Sequence, residues 1–172
     1  MEIDLQPVGE IDHGILLQLK DRLHIIFGCP VVIGDPIAVP QEAFSPDRKQ
    51  YISDIFLETL KPCKKAHTYV LGITDVDLYT QGLNFVFGQA DITGGVSIIS
   101  LHLLRQELYG LPANNDLLIE RAQKEAVHEL GHNLGMGHCD DGTCVMHFSN
   151  SLIDTDVKKP YFCNRCQPKL AL

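Results

Sequence analysis

Residues 128–138 read HELGHNLGMGH, and this undecapeptide restricts the fold more than any other stretch of the chain. His128 and His132 are four positions apart, so on an α-helix they lie about 40° apart around the axis and can both reach one cation. His138 comes six residues later. A continuing helix would carry it away along the axis, so the chain must turn back before a third imidazole can join the first two. Gly135 sits where a left-handed residue ends a helix cheaply, because glycine has no Cβ to clash. Any fold open to this sequence needs a helix that stops there and a loop that returns His138 to it.

The helix has Asn114, Asn115 or Asp116 available as its N-cap and runs to Leu134. At about 100° per residue, Ile119, Ala122, Ala126 and Leu130 form one apolar stripe. The two histidines project from nearly the opposite side, so packing and ligation do not compete. Three protein ligands with one open position is the arrangement of a catalytic zinc, and His128, His132 and His138 supply the three. Glu129 points somewhat away from the ligands, towards where a water would sit. Zinc lowers the pKa of such a water towards about 7, and a carboxylate in reach can take its proton and pass it to a leaving amine. Glu129 is therefore the expected general base.

Cys139, Cys144, Cys163 and Cys166 form a C-x4-C pair and a C-x2-C pair in the last fifth of the chain. Four thiolates in this spacing suit one closed, tetrahedral, structural zinc of the ribbon or treble-clef kind. Two zinc ions per chain are thus expected, covalent neighbours through the His138–Cys139 bond. Cys29 and Cys63 stand alone and read as buried thiols.

Together with Met146 in CVMHFSN, the histidine segment resembles the metzincin zinc peptidases, in which a methionine turn packs under the ligands. HELGHNLGMGHCDDGTCVMHFSNSLIDTDVKKPYFCNRC is similar to the archaemetzincins, whose pattern adds four cysteines just after the third histidine. The likeness is close from His128 to Cys166 and looser through DVDLY and LNFVFG. It implies one metzincin-like catalytic domain over 1–172, with 139–172 as a small C-terminal cysteine-zinc portion. It also implies a twisted, mainly parallel five-stranded sheet, an active-site helix, and an antiparallel edge strand lining the cleft. LNFVFG fits that strand by position. An edge strand can hold an extended peptide by adding it to the sheet, so the implied activity is a zinc metallopeptidase acting on peptides or proteins. The methionine follows His138 by only eight residues, and cysteines occupy the wall that other metzincins build differently.

The rest of the sequence alternates strand and helix patterns, an α/β (α+β) arrangement. Strands are expected at Ile3–Val8, Val31–Ile33, Thr68–Asp75, LNFVFG and Val96–Leu101. Helices are expected from Ile15 to Ile26, ending at Gly28, and over Lys49–Leu60 with Ser45 or Asp47 as cap. A net charge of −8 repels phosphate backbones and anionic lipid, which argues against nucleic-acid and membrane partners. The opening MEIDLQPVGE lacks the basic start of a secretory signal, no stretch is long and apolar enough to span a bilayer, and the cysteine usage suits a reducing compartment, so a cytoplasmic protein is expected. Two other functions compete with this one. A catalytically weak or inactive zinc-stabilised peptide-binding module would keep the same ligands; a zinc ribonuclease with H-x3-H-x5-H ligands conflicts with Glu129 and with the charge. Asp75 and Asp77 read as turn or capping residues, His147 and Tyr161 as secondary candidates near the cleft.

Overall fold

The computed structural model describes residues 1–170. In chain order the elements are β1 (Glu2–Pro7), α1 (His13–Phe27), β2 (Val31–Ile33), β3 (Phe44–Ser45), β4 (Gln50–Ile52), α2 (Ser53–Leu60), β5 (Thr68–Thr74), β6 (Leu78–Tyr79), β7 (Gly88–Asp91), β8 (Val96–Ser100), α3 (Asn115–Asn133) and α4 (Leu152–Val157). The main sheet has the order β2-β1-β5-β8-β7, with the first four strands parallel and β7 antiparallel to β8 at the edge. This is the mixed α/β, mainly parallel five-stranded sheet expected.

Parallel strands covered on both faces need apolar side chains on both, and β5 and β8 have them. Leu71, Ile73 and Ile99 face a core shared with α1 and α3, while Val70, Val96 and Ile98, one residue out of phase, pack against Phe56, Leu57 and Leu60 of α2. The Asp12 carboxylate caps α1 by accepting from the Ile15 amide, and Gly28, at φ 63°, ends it.

Two expectations are corrected here. LNFVFG is not a strand; only its last residue, Gly88, enters β7, and the edge strand is Gly88–Asp91. The alternation that suggested a strand serves another purpose: Phe87 is buried, and its ring meets that of Phe85 edge-on at 5.2 Å. The segment's backbone makes scattered ties in place of a ladder, from the Val86 amide to the Leu78 carbonyl at 2.9 Å and from the Ser100 amide to the Phe87 carbonyl at 2.8 Å. The second helix starts at Ser53, not Lys49, without a side-chain cap. Residues 44–52 instead form the hairpin β3–β4, reversed by Lys49 at φ 56° with its amide on the Ser45 carbonyl. With β6 these strands make a second, three-stranded sheet.

The stripe Ile119, Ala122, Ala126 and Leu130 is buried as expected, but the other faces of α3 are buried too. The C-terminal portion covers them, so the charged residues there need partners. Arg121 makes a two-pronged ion pair with Asp156 at 2.6 and 2.7 Å, and Lys124 reaches Glu120 at 2.8 Å. Cys144, Phe162 and Cys166 belong to the same core as the sheet, α1 and α3. No helix among the described residues is long and apolar enough to cross a membrane.

Candidate active site and metal centres

The α3 helix is capped by the Asn114 side chain, which accepts from the Leu117 amide at 3.0 Å. At the other end Gly135 adopts φ 84°, its amide bonds the His132 carbonyl at 2.9 Å, and the Met136 amide bonds that of Gly131 at 3.0 Å. No atom lies within 4 Å of where a Cβ would sit on Gly135, so glycine is required by backbone conformation, not by space. That turn brings His138 back. Its ring centroid lies 5.3 Å from that of His128 and 4.8 Å from that of His132.

The coordinating atoms of His128, His132 and His138 lie within 4.8 Å of one another. A carbonyl oxygen can only accept, so the tautomers of two rings are set by their neighbours. Nδ1 of His128 donates to the Val145 carbonyl and Nδ1 of His132 to the Met136 carbonyl, each at 2.8 Å. The two Nε2 atoms are then lone-pair acceptors, and they face each other at 3.1 Å. Burial holds all three imidazoles below the usual histidine range, His128 farthest, so a proton shared between them is disfavoured. Lone pairs converging in this way repel unless a cation sits between them. Tetrahedral zinc with bonds of about 2.0–2.1 Å sets its nitrogens about 3.3 Å apart, so the donor set fits that ion.

Glu129 is buried and shares a cavity of about 40 Å³ with His128, Glu125, residues Phe85 to Gly88, Phe148 and Ser149. That space exceeds what one water needs. Burial, reinforced by the neighbouring Glu125 charge and offset in part by Lys158, pushes the Glu129 carboxyl up to about 8 before any metal's field is counted. Gly88 opens the edge strand directly against it: a Cβ there would lie 2.7 Å from Glu129 Cγ and Oε1. Sequence reading missed Gly88, although the glycine at the end of an aromatic run was a signal of close approach.

Beneath the histidines, Met146 is fully buried and its sulfur packs where a side chain on Gly131 would otherwise stand. The tripeptide Cys144–Val145–Met146 therefore serves three neighbours. The Val145 carbonyl orients His128, the Met146 side chain supports α3, and the Met146 carbonyl accepts the Cys139 amide at 2.9 Å.

All four cysteines of the C-terminal portion are free thiols whose sulfurs lie within 4.8 Å of one another. Cys139 and Cys163 Sγ are 3.8 Å apart. A disulfide needs about 2.05 Å, whereas the edge of a tetrahedron with bonds of about 2.3 Å to sulfur is close to 3.8 Å. Desolvation raises the Cys144 and Cys166 thiols, whereas at Cys163 the backbone amides of Arg165 and Cys166 outweigh it and draw the thiol down to about 6, so Cys163 ionises most readily of these three.

The remaining candidates lie elsewhere. Asp75 is engaged by Arg105 at 2.6 Å, and Asp77 accepts from Gln50. His147 holds the Cys139 carbonyl at 2.9 Å, and Tyr161 lines a separate surface cavity with Lys159 and Arg165.

Residues 36–171 match the model of peptidase family M54. The archaemetzincin of Methanocaldococcus jannaschii is 45% identical over 99% of this chain and 93% of its own length. That of Pyrococcus furiosus is 45% identical over 95% and 89%. Among solved structures, a zinc-dependent peptidase from Methanocorpusculum labreanum superposes with a TM-score of 0.91 at 33% identity, covering 98% of this chain and 99% of that one. The archaemetzincin of Archaeoglobus fulgidus complexed with malonate gives 0.86 at 36% identity, over 98% and 99%.

Proposed function

This chain belongs to peptidase family M54, the archaemetzincins, and is a zinc metallopeptidase, for which we propose that Glu129 is the general base and that His128, His132 and His138 hold the catalytic zinc. Bound there, zinc supplies a Lewis acid that polarises the scissile carbonyl and acidifies water. The chain's own groups do the rest. The Val145 and Met136 carbonyls keep the His128 and His132 rings turned so that Nε2, not Nδ1, faces the metal. Glu129 takes the proton of a water in the cavity beside it as the water oxygen bonds to the carbonyl carbon. When the C–N bond breaks, Glu129 returns that proton to the leaving amine. The outer edge of β7 holds the peptide extended across this point.

A second zinc on Cys139, Cys144, Cys163 and Cys166 completes the reading, with four thiolates closing its coordination. The sulfur spacing supports it. Residues 1–172 then form one catalytic domain, with 139–172 as the portion the cysteine site organises; the core shared across both supports this. Four free thiols in that site suit a reducing compartment, and the cytoplasm is the compartment we assign.

The observation carrying the mechanism is the pair of facing Nε2 lone pairs with a buried carboxylate and a water-sized cavity beside them. It is tested by digesting a complex peptide library with fully zinc-loaded protein and reading the products by mass spectrometry. Cleavage at defined bonds is expected. A zinc-saturated protein that cleaves nothing overturns the catalytic assignment and favours a peptide-binding module.

A further inference from the structure

Lys158 is fully buried, among the largest side chains in the molecule with no exposed surface. Its Nζ lies 3.0 Å from Glu125 Oε1, and Glu125 is itself buried. The same oxygen accepts from Thr155 Oγ1 at 2.9 Å, and the ammonium has no well-aligned hydrogen-bond acceptor among the described residues. Burying an ion pair costs several kcal/mol per ion in desolvation, so such a pair is weak evidence of a device for stability. Its place in the fold suggests another use. Glu125 is one helical turn before Glu129 and three residues before His128, and all three line the cavity where the water would be activated.

Lys158 stands in the segment between the two cysteine pairs, and that segment is fastened on both sides. The Lys159 amide bonds the Thr143 carbonyl at 2.9 Å, the Val145 amide bonds the Tyr161 carbonyl at 3.1 Å, and the Lys158 amide bonds Asp154 at 3.2 Å. The position of the ammonium is thus set by the chain that also builds the four-cysteine site. The neighbouring cations of α3 are otherwise engaged, Arg121 with Asp156 and Lys124 with Glu120.

We propose that Lys158 is a positioning residue for hydrolysis: its ammonium, delivered by the segment between the cysteine pairs, balances the Glu125 carboxylate under the cleft and so holds the turn of α3 bearing His128 and Glu129 in working register. This rests on the assignment of Glu129 as base. Removing one member leaves an uncompensated buried charge beneath the cavity; removing both charges together does not.

The test uses zinc-loaded full-length protein in four forms: parent, Lys158→Met, Glu125→Gln, and the double variant, with kcat, KM, zinc content and Tm measured for each. Activity is read well below the lowest Tm. The parent's turnover checks the base assignment independently. Each single variant is expected to lose at least tenfold in kcat with KM within twofold and a lowered Tm, and the double variant to recover kcat to within about threefold of the parent with full zinc content. A merely structural pair would lower Tm and leave kcat alone. Single variants with parental kcat overturn the proposal, as does a double variant that is unfolded or no better than the worse single one.

Discussion

Gly88 and Glu129 are in contact, and only the absence of a side chain at Gly88 lets the edge strand begin against α3. A Cβ at that point would lie 2.7 Å from the glutamate and 2.8 Å from the Ile98 carbonyl of the adjoining strand, so neither neighbour leaves room. Gly88→Ala should push the carboxylate aside without touching the histidines. Misplacing a reacting group by about an ångström costs on the order of 10²-fold in rate. The expected result is that loss in kcat at unchanged zinc content; parental kcat would mean Glu129 is not held there during turnover.

Changing Glu129 to Gln keeps shape and removes the proposed base. Hydrolysis should fall by roughly 10²–10⁴-fold, with zinc content unchanged and Tm no lower, because burial already disfavours the charge. His132→Ala should instead lose the metal along with the rate. Elemental analysis beside the kinetics separates the two.

Two zinc ions of unequal lability are expected. Four thiolates leave no position for an incoming chelator, whereas three histidines leave one open. Titration with a mild chelator should abolish activity after one equivalent of zinc has left, and the second should leave more slowly with loss of structure. A single zinc in freshly prepared protein would contradict this.

Because space around Gly135 is free, Gly135→Val tests backbone conformation alone. A β-branched residue at φ 84° costs about 1–3 kcal/mol, and the strain falls on the turn that returns His138. Zinc affinity at the histidine site should weaken about tenfold to hundredfold while the thiolate site stays filled. Calorimetric zinc titration of both proteins reads this directly.

Asn133, next to His132, donates from one amide nitrogen to the Asp91 carbonyl at 3.0 Å and the Val96 carbonyl at 3.1 Å, pinning the β7–β8 hairpin to the end of α3. Asn133→Ala should lower stability by about 1–3 kcal/mol through the loss of both bonds, the Asp91 carbonyl keeping its bond from the Gly95 amide. The loosened edge should show as a several-fold higher KM for peptide, with kcat less affected.

The histidine and cysteine groups, whose donor atoms the fold gathers to within 4.8 Å in each set, were legible because ligand chemistry ties residue type to spacing, so HELGHNLGMGH and the cysteine pairs could be read without knowing what surrounds them. Strands such as Val31–Ile33 and Val96–Ser100 were legible because parallel sheets want continuous apolar runs. The edge strand was not. Gly88–Asp91 reads GQAD, with no apolar pattern, since its faces meet a glutamate and a hydrogen-bonding network instead of a core. The run before it looked like a strand because Phe85 and Phe87 wall the cleft. Nothing in the sequence marks Arg121 and Glu125 as buried, because their partners Asp156 and Lys158 arrive from a segment more than 30 positions away.

The four-residue length of β7 sets a reach as well as a direction. At about 3.4 Å per residue it spans about 14 Å. The bond from the Ser100 amide to the Phe87 carbonyl fixes which residues turn towards β8, and leaves Gly88 and Ala90 to offer their backbone groups outward. A substrate can therefore be gripped at two of its residues, spanning three positions, and only if that stretch is already extended. Folded domains seldom present such a stretch, whereas short peptides, termini and unravelled loops do, so an edge of this length would pair with loose chain more readily than with a folded protein.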